Sequence, residues 1–196
     1  MITLSVQDKE GFATIVSGVV KLLRSMADGR QQIVALQFSG HCVGSPIGTG
    51  QTVVAVAATD VELCCVDQQR IDMLMSEHPQ MMRMLLQGTL SALNASRDWM
   101  LLLGRKTADE RVASLFLMLA EREINAGCMP APAGPVHFSL PISRTDIADF
   151  LGLTIETVSR QIQRLKKLGI LVFDGQRNVS VPAMAALRHQ AEQEQT

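Results

Sequence analysis

Apolar runs are short throughout these 196 residues: none reaches the ~18 that would span a bilayer, and the amino terminus lacks the basic-then-apolar order of a signal peptide. The sequence points to a soluble, cytoplasmic protein with no membrane partner. Cysteine is scarce as well. The four, at positions 42, 64, 65 and 128, form neither a small disulfide framework nor a CxxC…CxxC knuckle, and they read as reduced thiols. Catalytic patterns are missing too. There is no Ser/His/Asp set with supporting motifs, no phosphate-cradling glycine loop opening a helix and no zinc-type ligand spacing, so the chain does not read as an enzyme. Asp109 and Glu110 are adjacent, and neighbours on a helix do not face one another, so they read as capping carboxylates rather than a catalytic pair. His41-Cys42 on a glycine-flanked turn is a poor metal site, His78 and His137 read as surface residues, and Trp99 and the methionines as core and interface filler. Acid is absent from one stretch, residues 158–168, which holds Arg160, Arg164, Lys166 and Lys167 behind a formal net charge of −1.

What is present is a packed, α+β chain. Its hydrophobic content of 47% is that of a globular protein of one large or two small domains. Residues 1–66 carry short β-type runs at 12–16, 19–23, 32–38, 52–57 and 61–66, separated by Ser17-Gly18, Asp28-Gly29 and the glycine-rich segment 39–51. This predicts an antiparallel sandwich or roll, and one that looks incomplete at its amino end. The period then changes to 3.6: a short helix over 68–77 stops before Pro79, and a long one runs from Pro79 to about Leu103. Leu86, Leu93 and Met100 recur every seven residues with Leu90 between them, and Arg97 falls in the same stripe. This is the spacing of a two-helix seam, and a homodimer is the economical reading. The alternative is that the stripe packs on its own β-domain. Thr107 and Glu110 form a capping box for a helix whose Val112, Leu115, Phe116 and Leu119 line one face. Residues 128–135 read as a loop feeding a strand at 136–140. The expected segments are 1–78, a β-roll; 79–104, a long helix with the seam; and 105–196, the remainder.

From Ser143 the landmarks of a helix-turn-helix follow in order. Ser143 caps a first helix with Asp146 in its first turn, Ala148 is small where two helices cross, Gly152 suits the turn, and Thr154 caps a second helix. Ile147, Leu151, Leu153, Val158 and Ile162 supply the apolar wedge; Gln161 is polar where a third apolar contact is often found. Glu156, Ser159 and Arg160 share the opposite face near the amino end of the second helix. In a major groove Arg can pair with guanine, Glu can accept from cytosine N4, and Ser can make a small polar or methyl contact. Thr154, Thr157, Arg164, Lys166, Lys167 and Arg177 are the expected DNA-backbone contacts. A solvated Glu156–Arg160 ion pair is compatible with that reading. After Gly169, a hairpin around Asp174-Gly175 forms a wing.

With Leu153-Thr154-Ile155-Glu156-Thr157-Val158-Ser159-Arg160, and supporting stretches at 99–111 and 15–22, nearly the whole chain resembles the Crp/Fnr superfamily, and specifically its fumarate-nitrate reduction regulator branch. The resemblance implies a β-roll of the cyclic-nucleotide-binding type, a long dimerisation helix and a winged helix-turn-helix. It also implies double-stranded DNA as partner, with Glu156, Ser159 and Arg160 as readers of a palindromic TTGAT-type operator, RNA polymerase as a further partner, and oxygen- or redox-linked gene control. Two departures matter. Cyclic-AMP-binding members carry Glu and Arg in a phosphate cassette, whereas Gly44-Ser45-Pro46-Ile47-Gly48-Thr49-Gly50-Gln51-Thr52 has neither, so cyclic AMP is not expected. Oxygen-sensing members hold a [4Fe-4S] cluster on three upstream cysteines and one in a late strand. Cys64 falls at that fourth place, either as a remnant ligand or as a plain buried thiol, and a cluster is expected only if a longer native amino terminus supplies the missing cysteines. Cys65 faces the other side of the strand. The rival function is a ligand-binding β-roll whose winged helix contacts protein rather than DNA.

Overall fold

Period-2 alternation in the first third of the chain becomes seven strands: β1 (Thr3–Leu4), β2 (Gly11–Ser17), β3 (Val20–Ser25), β4 (Gln31–Gln37), β5 (Cys42–Gly44), β6 (Val54–Ala57) and β7 (Glu62–Asp67). The computed structural model that shows them describes residues 3–4, 11–44, 53–126 and 134–192. Among the described residues all strand pairs are antiparallel, one sheet running β1-β6-β3-β4 and another β5-β2-β7. Ile15 and Val43 from the second sheet meet Val20 and Ala55 from the first in one buried cluster, with Leu22, Val61 and Leu63 against it. Burying side chains of this size is worth about 1.5–3 kcal/mol each, which is what joins the sheets into a β-roll. Two strands escape the sequence pattern. Strand β5 is three residues long and lies in the glycine-rich segment, while β1 pairs Thr3 and Leu4 with Val56 and Ala55, ahead of the first hairpin.

Helix α1 (Gln68–Glu77) begins where Asp67 accepts the N–H of Arg70 at 2.8 Å, and it ends at His78, before Pro79. Helix α2 (Pro79–Arg105) follows. No helix among the described residues is long and apolar enough to cross a membrane.

The chain divides into two units, Met1–Met100 and Leu101–Thr196. The second holds α3 (Ala108–Ala126), β8 (Val136–Ser139), α4 (Arg144–Leu151), α5 (Ile155–Lys167), β9 (Val172–Asp174), β10 (Asn178–Val181) and α6 (Met184–Ala191). Its three-stranded sheet is ordered β8-β10-β9. Val112, Leu115 and Phe116 of α3, Ile147 and Leu151 of α4, Val158 and Ile162 of α5, and Leu187 of α6 are all fully buried. The Phe116 ring touches those of Phe138 and Phe173. The cassette from Ser45 to Thr52, and Cys128 with most of the loop expected around it, lie outside the described residues.

Candidate nucleic-acid interface

Local hydrogen bonds set the two helices of the motif. Ser143 and Asp146 form a reciprocal capping box at the start of α4: the Asp146 N–H donates to Ser143 Oγ at 3.1 Å, and Asp146 Oδ2 accepts the Ser143 N–H at 2.9 Å. Gly152, at φ +63°, ends α4, and the Leu153 N–H returns to the Ala148 carbonyl at 3.0 Å. Thr154 then opens α5, its Oγ1 accepting the Thr157 N–H at 3.2 Å. Val158, Ile162 and Leu165 bury one face of α5. Leu165 supplies the third apolar contact that polar Gln161, half-buried, does not. At the far end Gly169 and Ile170 donate to the carbonyls of Lys166 and Leu165, closing the helix as a Schellman motif.

On the opposite face Glu156 and Arg160 are exposed and Ser159 is half-buried. The Glu156 carboxylate is held below its ordinary range by its own backbone N–H and by the Thr154 hydroxyl, so at neutral pH it is an acceptor only. Thr157 is half-buried, its hydroxyl 3.1 Å from that of Thr154. Lys167 is exposed, and Arg177 is exposed in the turn between β9 and β10. The exposed Lys166 carries its ammonium 5.3 Å from the centre of the Phe173 ring, which the Arg144 guanidinium also meets, at 5.4 Å. This links the first helix, the second helix and the wing. Arg164, half exposed, donates its Nη1 to Asp109 Oδ2 at 2.7 Å.

The segment before and within the first turn of α3 is bonded to three other helices. Lys106 Nζ donates to Ser114 Oγ and to the Ala191 carbonyl at the end of α6. Arg111 donates Nη1 to the Leu151 carbonyl at the end of α4, at 3.1 Å. Asp109 receives Arg164 of α5. The capping expectation for Thr107 and Glu110 takes a modified form. Glu110 Oε2 accepts the Thr107 N–H at 2.6 Å, while the Thr107 hydroxyl lies within reach of both Asp109 Oδ1 and Glu110 Oε2, at 2.6 and 2.7 Å. The two adjacent carboxylates therefore do meet, on one hydroxyl, in a capping arrangement.

On α2, Leu86, Leu90, Leu93 and Met100 are 44–65% exposed. None of the four is buried. Arg97 is exposed in line with them, donating Nη1 to Asn94. Met82 and Leu101, also exposed, extend the same helical face in both directions; the heptad count from Leu86 passes over them.

The described thiols of the β-roll lie apart from one another. Cys64 is exposed, which corrects the buried-thiol reading, and Cys65 is exposed too. Register explains their arrangement: Thr14 pairs with Cys42 on one side and Cys64 on the other, while Cys65 pairs with Ala13. Cys42 and Cys64 thus share a face two strand spacings apart, roughly 10 Å, and Cys65 lies on the reverse. Cys42 is within 3.8 Å of the Thr14 hydroxyl, and His41 Nδ1 is 2.6 Å from Gln37 Oε1. Among the described residues no three His, Cys, Asp or Glu side chains come together as a metal site.

Comparison with known proteins agrees with this architecture. Residues 4–78 match the cyclic nucleotide-binding domain family and residues 110–190 the Crp-like helix-turn-helix domain family. A probable transcriptional activator of Rhizobium leguminosarum bv. viciae is 47% identical over 90% of this chain and 71% of its own length. The transcriptional activator protein FnrL of Cereibacter sphaeroides is 42% identical over 94% of this chain and 74% of its own. The solved structure of FixK2 from Bradyrhizobium japonicum superposes with a TM-score of 0.80 at 35% identity, covering 95% of this chain and 89% of that one. A capped helix-turn-helix with its wing, a β-roll, and relatives that are transcriptional activators place the chain in the Crp/Fnr family of DNA-binding transcriptional regulators.

Proposed function

We propose that the protein works as a homodimer whose two α5 helices read a two-fold symmetric operator with TTGAT-type half-sites. One observation carries this reading: Glu156 and Arg160 project to solvent from the amino-terminal half of a capped helix whose other face is fully buried. Such a rod can enter a major groove without unfolding anything. Ser159, between them, makes the third base contact. Thr154 and Thr157 at the helix start, Lys166 and Lys167 at its end and Arg177 on the wing serve the sugar-phosphate backbone. Leu86, Leu90, Leu93, Arg97 and Met100 pair across the dimer seam, which spaces the two α5 helices one DNA turn, ~34 Å, apart. The protein acts in the cytoplasm by binding, without catalysis, and engages RNA polymerase as an activator does. The fumarate and nitrate reduction and nitrogen fixation regulators among its relatives favour redox-linked control. Cyclic AMP is not the signal, because residues 44–52 offer no cation for its phosphate.

The test is binding of a labelled inverted-repeat duplex by dimeric protein across a salt series. Affinity falling steeply as salt rises, with a slope of about −0.9 per phosphate neutralised, supports the reading. No salt-dependent binding even at low ionic strength transfers the winged helix to a protein-interaction role.

A further inference from the structure

We propose that Arg164 is a strut rather than a phosphate contact, and that Asp109 and Arg164 are positioning residues that fix how α5 presents its base-reading side chains. The inference rests on the DNA-reading role of α5 proposed above. In sequence Arg164 is simply the next cation one turn beyond Arg160, on the same side of the helix. In space its guanidinium is already engaged. Asp109 Oδ2 lies 2.7 Å from Nη1, and Asp109 is itself anchored from elsewhere: Thr107 Oγ1 reaches Oδ1 at 2.6 Å, and Gln190 Nε2 of α6 reaches Oδ2 at 3.4 Å. The carboxylate is 22% exposed against 51% for the arginine, so the acid is the fixed member of the pair and the arginine is drawn to it. The contacts of Val158, Ile162 and Leu165 are apolar and set how deeply α5 is seated. The ion pair is directional, and it fixes the rotation of the helix about its own axis. Rotation decides where Glu156, Ser159 and Arg160 point.

The two roles of Arg164 differ in one observable. A phosphate contact releases counterions, so removing it changes the slope of log affinity against log salt by about 0.9 per protomer. A strut neutralised by Asp109 leaves the slope unchanged and lowers affinity by loosening the presented face. The experiment measures operator affinity across a salt series for wild type, D109N, R164A and the double variant. R164K and the isosteric D109N serve as conservative variants where R164A does not fold, and thermal midpoints are recorded for all. The expected result is a two- to fivefold loss, roughly, in each single variant, no further loss in the double, and an unchanged salt slope. A slope reduced by about 0.9 per protomer in R164A, with D109N binding as well as wild type or better, overturns the strut and returns Arg164 to the phosphates. These outcomes leave the base-reading assignment standing. Failure of the wild-type protein to bind the operator overturns both, and is recognised because it precedes any substitution.

Discussion

Lys106 Nζ donates to the Ala191 carbonyl oxygen at 2.7 Å, joining residues 85 positions apart. The lysine immediately follows α2, and the carbonyl belongs to the last residue of α6, where a helix leaves acceptors without intrahelical donors. A cation there is also favourable to the helix dipole. Replacing Lys106 with Met keeps the aliphatic stem and removes the charge, and should destabilise the DNA-binding unit by about 1.5–3 kcal/mol, the range for a hydrogen bond to a charged group. Urea unfolding of K106M checks this; a midpoint equal to wild type would show that water replaces the lysine without loss.

Gly152 sits at φ +63° with open space around the position a Cβ would take. The cost of G152A is therefore conformational rather than steric, about 1–2 kcal/mol. Asn tolerates the left-handed region better, so G152N should recover part of the loss. Equal midpoints for the two variants would mean that the turn has relaxed into another conformation.

The exposed stripe on α2 makes a claim about association. A charge at its centre, L90D, should yield monomers in sedimentation at concentrations where wild type is dimeric, and operator affinity should fall with dimerisation. Dimeric L90D would place the seam elsewhere.

Asp109 gives the stability a pH dependence of known sign. Burial pushes its carboxyl up, but hydrogen bonds from Thr107 and its own backbone, with the Arg164 charge, outweigh that and hold it below its ordinary value. The groups facing it are the Thr107 hydroxyl, the Arg164 guanidinium and the Gln190 amide, with Glu110 sharing the same hydroxyl. A depressed native value means stability that is fully present above the unfolded carboxyl's range and lost as pH falls through the native one. Wild type should thus lose more stability than D109N as pH falls from about 5 to below the ordinary carboxyl value. Parallel curves would remove Asp109 from the balance.

The parts legible in the sequence were those written in short-range chemistry. The caps Ser143 and Thr154, the turn at Gly152 and the exposed face of Glu156 and Arg160 each depend on residues within four positions of one another. Distance along the chain hides the rest. The ion-pair partner of Arg164 lies 55 residues away, which no local pattern reveals. Alternation in β7 places Cys64 and Cys65 on opposite faces, but burial depends on what covers each face, and both are exposed. Helix α6 went unseen because Ala183 at its N-cap makes no side-chain capping bond; its place is set by Leu187 in the core and by Lys106.

Arg160 is proposed above to read a base. The most direct measurement of this is a cycle of two changes, Arg160→Ala in the protein and replacement of the G·C pair in each TTGAT half-site by A·T, with operator affinity measured at fixed salt. The base change should cost wild type about 1–3 kcal/mol per half-site and cost R160A almost nothing, because the side chain that distinguishes the pairs is gone. The same penalty in both proteins would contradict it.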